Sequence, residues 1–209
     1  MSKICCIFNI PSLYREKIYL DIDKEYDCEW YFEREENGIN LFDTNKLKKV
    51  HILEHGKFFS RFYTMKGLVS MVWKQKEYDR YLMLGTPMCV SLWELCIFLK
   101  LFRPNKKIYF WTHGWYGKET ITERIIKRCF LHLADELFIY GNYAKDLLLK
   151  QGFKSEKMHV IHNSLSYDVQ MELRKQMHPT EIYKEHFGND NPVLIFIGRL
   201  TPVKQLNML

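Results

Sequence analysis

Short apolar runs rich in Ile, Val, Phe and Tyr alternate along the chain with longer segments whose apolar residues recur at helical spacing. The runs lie near residues 3–9, 27–33, 49–54, 79–84, 107–112, 136–140 and 158–162, and the helical segments lie near 13–22, 65–76, 89–102, 119–133, 143–151 and 168–175. Such alternation is typical of parallel strands joined by crossover helices. The sequence therefore predicts an α/β fold with a Rossmann-like, mostly parallel sheet and helices on both faces.

The last part of the chain carries the signal of a second domain. The Gly/Asn/Pro cluster at 188–192 marks a boundary, and the apolar run at 193–197 predicts a buried strand. We therefore expect an N-terminal domain over 1–187 and an incomplete second domain, its first strand and turn, over 188–209. Because a βαβ unit takes about 30 residues, we expect that strand either to dock on the first sheet or to belong to a truncated piece of a longer protein.

Composition and cysteine spacing narrow the class of protein. Hydrophobic residues make up 47% of the 209 residues, which excludes a disordered or collagen-like chain. The six cysteines form no C-x-x-C pair and no cluster at zinc-ligand spacing, so we expect structural thiols, no metal and no cofactor. Asp21 and Asp23 spell D-x-D, but on a helix their carboxylates point about 200° apart. They cannot share an ion.

No segment of the sequence has the pattern of a leader or a membrane span. The first apolar run is shorter than the core of a signal peptide. The run at 88–102 carries Glu94 and Lys100 and is shorter than a bilayer requires. The sequence therefore predicts a cytoplasmic protein.

The positive charge of the chain is concentrated in one segment. The net charge is +6, and residues 100–128 carry eight Lys or Arg against two Glu, so the rest of the chain is neutral. Such a segment indicates an anionic partner, such as a phosphorylated substrate, an acidic membrane surface or nucleic acid, with a merely solvated face as the alternative. Because the sequence has no recognised nucleic-acid motif, we expect no nucleic acid. Peripheral contact with the inner face of the cytoplasmic membrane stays open.

Three turns follow predicted strands and lead into predicted helices, at 9–15, 112–118 and 198–204. In open α/β sheets, ligands bind beyond the carboxyl ends of the strands. These turns are therefore the places where the sequence predicts functional side chains.

In the second turn, the chemistry-bearing side chains each have a structural alternative. His113 either belongs to a functional site or is a loop histidine bonded to backbone. Trp115 and Tyr116 either stack on a ligand or belong to the core. Lys118 either binds a phosphate of a ligand or is solvated.

The third turn has the residues of a phosphate site. Arg199 and Lys204 lie five residues apart, with Gly198 in the turn and a predicted helix N-terminus between them. The guanidinium offers a fork of N–H donors, the ammonium a point charge and the helix its free backbone N–H groups. The turn is therefore predicted to bind a diphosphate.

The stretch from Ile197 to Gln205, Ile-Gly-Arg-Leu-Thr-Pro-Val-Lys-Gln, resembles the opening of the donor-binding domain of family 4 glycosyltransferases, which have the two-domain GT-B fold. The turn at 9–15 resembles the first loop of some members, and residues 112–114 resemble the loop that bears the active-site His. Residues 162–165 lie where many relatives have Asn-Gly before the hinge. The resemblance covers the N-terminal domain and the start of the second.

The resemblance implies a retaining, metal-independent transfer of a sugar from a nucleotide-sugar to a hydroxyl of a glycan or lipid-linked acceptor. It implies a place in cell-surface polysaccharide or lipopolysaccharide assembly. His113, Arg199 and Lys204 would be catalytic, and Gly198, Arg199 and Lys204 would contact the donor diphosphate. The acceptor side would comprise Tyr14, Arg15, Gly114, Trp115 and Lys118, and the hinge of the cleft Asn163 and Ser164.

Departures from the family leave other functions open. Ile10 and Pro11 replace a glycine pair often found after the first strand, and Ser164 replaces the usual Gly. The family's E-x₇-E motif, which lies well beyond the Gly-Arg-Leu turn, is not reached within these residues. The alternatives are a non-catalytic fragment that binds acceptor only and, more remotely, a nucleic-acid-binding α/β domain.

Overall fold

The chain forms an eight-stranded sheet in the computed structural model, which describes residues 3–34, 39–59, 61–162, 166–198 and 200–208. The strands are β1 (Lys3–Phe8), β2 (Asp27–Arg34), β3 (Val50–Phe59), β4 (Phe62–Met65), β5 (Tyr78–Leu84), β6 (Lys107–Thr112), β7 (Glu136–Ile139) and β8 (Met158–Val160). Their order is β4-β3-β2-β1-β5-β6-β7-β8, and every neighbouring pair is parallel except β3 and β4. The predicted Rossmann-like, mostly parallel sheet is confirmed.

Helices join most of the strands, close to where the helical period places them. They are α1 (Glu16–Glu25), α2 (Leu68–Lys74), α3 (Val90–Phe102), α4 (Ile121–Leu131) and α5 (Asn142–Lys150), followed after β8 by α6 (Tyr167–Gln176) and α7 (Ile182–Phe187). Within the described ranges, none of these helices combines the length and the hydropathy that crossing a bilayer requires.

Side chains of β1 alternate between two cores, because successive residues of a strand face opposite sides of the sheet. Ile4, Cys6 and Phe8 pack with Tyr19 of α1. The core on the other face combines Cys5 and Ile7 of β1 with side chains from four helices, among them Leu68, Leu92, Phe130 and Leu148. Burial on both faces explains why the parallel strands are continuous apolar runs, and it confirms helices on both faces.

The hairpin formed by β3 and β4 departs from the sequence prediction. Residues 62–65 pair antiparallel with β3, where the sequence predicts a loop leading into a helix near 65. Gly56 makes the close pairing sterically feasible, since a Cβ there would come within 2.4 Å of the Thr64 hydroxyl oxygen. The helix begins only after Gly67, whose φ of 82° is in the left-handed region that favours glycine.

Packing divides the chain into two compact units, Met1–Tyr167 and Asp168–Leu209. In the second unit the predicted strand at 193–197 is not formed, and the side chains of Leu194 and Ile197 are 87% and 92% exposed. A strand requires a neighbour to pair its N–H and C=O groups, and the described residues of this unit offer none. The predicted helix near 203 is instead two short 3₁₀ turns, Pro202–Lys204 and Leu206–Met208.

Candidate functional site

The strand order reverses at β1, which has β2 on one side and β5 on the other. Ligands of open α/β sheets bind at such a switch point, beyond the carboxyl ends of the strands. A cleft of about 400 Å³ lies there. Its walls come from the residues after β1 (Asn9, Tyr14, Arg15), the end of β5 and the loop after it (84–88), the end of β6 and the loop after it (111–114, Tyr116), and Lys127 of α4.

The turn after β1 is fixed by a neighbouring extended segment. The backbone N–H of Leu13 donates to the carbonyl of Asn40 (2.8 Å), and that of Phe42 donates to the carbonyl of Pro11 (3.0 Å). The 3₁₀ turn Leu13–Arg15 follows and brings two predicted acceptor-side residues, Tyr14 and Arg15, to the cleft.

Arg15 is a buried cation with neutral neighbours. The residue is only 8% exposed, and Nη2 donates a 3.0 Å hydrogen bond to the hydroxyl of Tyr140. The hydroxyl of Tyr19 is a further hydrogen-bond partner of the guanidinium. The guanidinium carbon lies 5.2 Å from the ring centre of Tyr14 and 5.6 Å from that of Trp111. Among the described residues, no carboxylate forms an ion pair with it. A buried charge of this kind is costly unless it is paired.

His113 follows β6 at the edge of the cleft, as predicted. Its ring centre lies 4.4 Å from that of Tyr140 and 6.0 Å from that of Tyr116. Partial burial, and then the positive charges of Arg15 and Lys127, lower the pKa of His113 below its usual value. The ring is therefore neutral at pH 7, with one nitrogen that donates and one that accepts a hydrogen bond.

A buried carboxylate holds the loop between β6 and α4. The side chain of Glu119 accepts hydrogen bonds from the backbone N–H groups of Tyr116 (2.7 Å) and Gly117 (2.9 Å) and from Nζ of Lys127 (2.8 Å). Burial alone would raise the pKa of Glu119, but the bonds from Lys127 and Tyr116 outweigh burial and lower it. The loop that carries His113 is thus anchored by charge-assisted hydrogen bonds.

Gly114 is required by the geometry of the same loop. Its φ of 69° is in the left-handed region, and a Cβ there would come within 3.2 Å of Leu148 Cδ1. Its N–H donates to the hydroxyl of Thr112 (3.2 Å), and its carbonyl accepts from Nζ of Lys127 (3.2 Å). Gly114 therefore shapes the cleft wall through its backbone.

Two predicted acceptor residues lie outside the cleft lining. Trp115 is only 3% exposed and belongs to the core that contains Phe110 and Phe130, so its ring is not available to stack on a ligand. This corrects the acceptor assignment in favour of the core alternative, since the loop turns the indole inward. Lys118 is exposed and is not among the residues that line the cleft. Tyr116, by contrast, lines it.

The predicted donor residues belong to the second unit. Gly198 lies in a bend, and Lys204 ends the 3₁₀ turn Pro202–Lys204, so this turn is not the α-helix N-terminus that the sequence predicts. Arg199, Asn163 and Ser164 lie outside the described residues.

The sequence does not single out Lys127, which lines the cleft, except as part of the basic segment. Nor does it single out Glu119 and Tyr140, which bond to Lys127 and Arg15 of the cleft wall. A signal did exist for Tyr140, because it is the last residue of a predicted strand and so lies at the same edge of the sheet as His113.

A second cavity of about 540 Å³ adjoins the cleft and shares Asn9, Thr86 and Met88 with it. Its other walls include Lys57 and Arg61 from the β3–β4 hairpin, together with His55. The buried carboxylate of Glu33 lies 2.6 Å from Nδ1 of His55. This extension adds positive charge beside the cleft.

A further cavity of about 600 Å³ lies between α1 and strands β1, β5, β6 and β7 and is lined largely by apolar residues, among them Leu82, Tyr109 and Phe138. Arg80, Glu136 and His162 also line it, but its lining is more apolar than that of the cleft, so we do not take it as the site. The D-x-D aspartates have structural partners: Asp23 accepts from the indole N–H of Trp30 (2.8 Å), and Asp21 pairs with Lys17. Within the described ranges, no group of three or more His, Cys, Asp or Glu could hold a metal.

Comparison with family models and with curated proteins gives no match to this sequence. Solved structures do match. UDP-GlcNAc 2-epimerase from Neisseria meningitidis bound to UDP-GlcNAc has a TM-score of 0.55 at 14% identity, covering 83% of this chain and 50% of that one. The lipopolysaccharide outer core galactosyltransferase WaaB, in its apo form, has a TM-score of 0.51 at 16% identity, covering 78% of this chain and 46% of that one.

UDP-GlcNAc 2-epimerase from Methanocaldococcus jannaschii has a TM-score of 0.50 at 16% identity, covering 77% of this chain and 45% of that one. The chain thus spans about half the length of the solved structures it matches. At these identities the likeness is one of fold. It confirms the fold predicted from the sequence, a Rossmann-like domain of the kind found as the N-terminal half of GT-B enzymes.

Proposed function

We propose that this chain forms the acceptor side of a glycosyltransferase that moves a sugar from a nucleotide-sugar to a hydroxyl of a glycan or lipid-linked acceptor. The observation that carries the proposal is the convergence of Tyr14 and Arg15 with His113 in one cleft at the switch point of the sheet. The similarity of 197–205 to a family 4 donor-domain opening supports it. So do the fold neighbours, whose names include a galactosyltransferase and enzymes of UDP-GlcNAc.

In this proposal the residues divide the reaction between them. The bond from the anomeric carbon to the donor phosphate oxygen breaks, a bond from that carbon to the acceptor oxygen forms, and the proton of the acceptor hydroxyl passes to the departing phosphate. Gly198, Arg199 and Lys204 would bind the departing diphosphate and stabilise its growing charge. His113, neutral at pH 7, would donate or accept a hydrogen bond at the sugar, and Tyr14 and Arg15 would hold the acceptor.

We also propose a peripheral, cytoplasmic location at an acidic membrane surface, which suits a lipid-linked acceptor. The exposed side of α4 presents Ile121 (77% exposed) and Ile125 (60%) beside Arg124 and Arg128. Apolar side chains flanked by cations are typical of helices that lie in a membrane interface.

The β3–β4 hairpin supports the same surface. Phe58 and Phe59 are 67% and 75% exposed, and Arg61 Nη1 lies 3.0 Å from Glu123 Oε1 in the first turn of α4. We call Phe58, Phe59, Ile121 and Ile125, with Arg124 and Arg128, the apolar-basic surface.

The second candidate is a protein that binds acceptor without catalysis. It is favoured by the absence of a strand at 193–197, because the described residues of the second unit then form no sheet on which a nucleotide could be bound. This candidate uses the same cleft for the acceptor.

Calorimetric titration with nucleotide-sugars separates the two candidates. Heat that depends on the nucleotide supports the transferase, and its absence supports acceptor binding alone. In a working enzyme, Arg199→Ala should lower turnover about 10²–10³-fold, because the departing diphosphate loses the hydrogen bonds that the guanidinium would donate to it. Lys175→Ala, which removes an exposed cation of α6 paired with Glu172, is the control. Wild-type turnover in Arg199→Ala would contradict the assignment.

A further inference from the structure

We propose that the cleft contains an anion-binding subsite centred on the guanidinium of Arg15, and that its ligand is a phosphate group. The inference deepens the proposed function and rests on it for the identity of the molecule that carries the phosphate.

The first argument is the unbalanced charge of Arg15. The residue is more than nine-tenths buried, yet its described partners are all neutral: the hydroxyls of Tyr140 and Tyr19 and the rings of Tyr14 and Trp111. A guanidinium has five N–H donors, so two hydroxyls leave several of them unused among the described residues. Such a group is well suited to grip two oxygens of one phosphate.

The second argument is the polar environment behind the guanidinium. The hydroxyl of Tyr19 interacts with the guanidinium and with the hydroxyl of Ser12, and the indole N–H of Trp111, whose ring packs against Arg15, is buried without a hydrogen-bond partner in the described structure. Native proteins leave few buried polar atoms unsatisfied. The environment of Arg15 is therefore rich in donors and lacks a negative charge.

A comparison with Arg103 shows that a partly buried arginine need not have this character. Arg103 stacks on Trp73, with its guanidinium carbon 4.0 Å from the ring centre. Its two terminal nitrogens donate to the backbone carbonyls of Gln75 (3.0 Å) and Trp73 (2.6 Å). Arg103 thus donates to two carbonyls within the fold, whereas the described hydrogen-bond partners of Arg15 are neutral hydroxyls.

The third argument is the charge of the whole cleft. Lys127 lies 4.3 Å from the ring centre of Tyr116 in the same wall, with Glu119 as its counter-charge. The described residues that line the cleft include no Asp or Glu. Because Glu119 offsets only Lys127, the positive charge of Arg15 remains available for an anion.

Binding of inorganic phosphate and pyrophosphate, measured by calorimetry, tests the subsite directly. We expect both anions to bind the wild-type chain and Arg15→Gln to bind them at least about tenfold more weakly. Arg15→Gln should fold, because it removes a buried charge without a counter-ion, and its unfolding transition verifies this. Arg103→Gln is the matched control, expected to lose stability and keep anion affinity.

Competition then identifies the source of the phosphate. If a nucleoside diphosphate displaces inorganic phosphate in an Arg15-dependent way, the subsite takes the donor diphosphate. If the two bind together, the subsite takes a phosphate of the acceptor. Equal binding by wild type and a folded Arg15→Gln, or no binding of either anion, overturns the subsite. Arg15-dependent binding in a chain without transferase activity would refute only the proposed function.

Discussion

The hydroxyl of Tyr140 accepts a 3.0 Å hydrogen bond from Nη2 of Arg15, so the residue after β7 is joined to a turn 125 positions earlier in the chain. The ring of Tyr140 also packs against His113, with ring centres 4.4 Å apart. One tyrosine thus positions both the cation and the imidazole of the cleft.

Tyr140→Phe removes the hydroxyl and keeps the ring. Because a hydrogen bond contributes about 0.5–1.5 kcal/mol, we expect phosphate to bind about 3- to 10-fold more weakly, with the free energy of unfolding changed by no more than about 1.5 kcal/mol. Calorimetry and urea unfolding measure the two effects. Tyr26→Phe, at a partly exposed tyrosine outside the cleft, is the control. An unchanged phosphate affinity would mean that Tyr140 does not position Arg15.

The pKa of His113 should report the charge of the cleft. Burial, Arg15 and Lys127 all disfavour the imidazolium, so the NMR titration midpoint should lie below the ordinary value of about 6.5 and move upward in Arg15→Gln. Because the pKa of His113 is lower in the folded than in the unfolded chain, the contribution of the neutral ring to the free energy of unfolding is present in full above pH ~6.5. It is lost as the pH falls through the folded pKa. A midpoint that is the same in both proteins would show that Arg15 does not act on the ring.

Glu119→Gln should destabilise the first unit. The substitution leaves Lys127, whose side chain is 16% exposed, without its counter-charge and weakens the bonds to two backbone N–H groups. We expect a loss of about 2–3 kcal/mol at pH 7 in urea unfolding. Glu94→Gln, on an exposed part of α3, should change little.

The same carboxylate predicts a pH dependence. Because the pKa of Glu119 is lowered by folding, its stabilisation is complete above the ordinary pKa of about 4.3 and is lost as the pH falls through the folded value. The difference between wild type and Glu119→Gln should therefore shrink in acid. A difference that stays constant from pH 7 to pH 3 would refute the role of the charge.

Binding to vesicles tests the apolar-basic surface. We expect the chain to sediment with vesicles that contain anionic lipid, and less with purely zwitterionic ones, because attraction to anionic headgroups adds about 1 kcal/mol per Lys or Arg. Ile125→Glu should reduce binding, since it places a charge in the apolar stripe. Leu173→Glu, on the exposed side of α6, is the control. Equal sedimentation with both kinds of vesicle would exclude the electrostatic part of the proposal.

The sheet could be predicted because its strands are buried on both faces and stand out as apolar runs. The strand β4 could not be predicted, because its four residues, Phe62–Met65, are too few to show a period. They form a strand by pairing with β3. The run at 193–197 shows the converse: an apolar run alone does not make a strand without a neighbour.

The sequence predicted the cleft residues that follow β1 and β6, because a position directly after an apolar run can be recognised from the neighbouring residues alone. It missed Glu119, Lys127 and Tyr140, whose roles come from contacts made only in the folded chain. For Trp115 the sequence left core and cleft open, since the direction of a side chain in a glycine-containing loop is set by the backbone.

Because β1 is hydrogen-bonded along its length to β2 on one flank and β5 on the other, the point from which residues 9–15 depart is fixed by two ladders at once. The exposed side chains of that segment, Leu13 and Tyr14, can therefore be exchanged on a rigid framework, as antibody engineers exchange loop residues. Selection acting on these two positions could retune what the protein recognises while the supporting architecture stays the same.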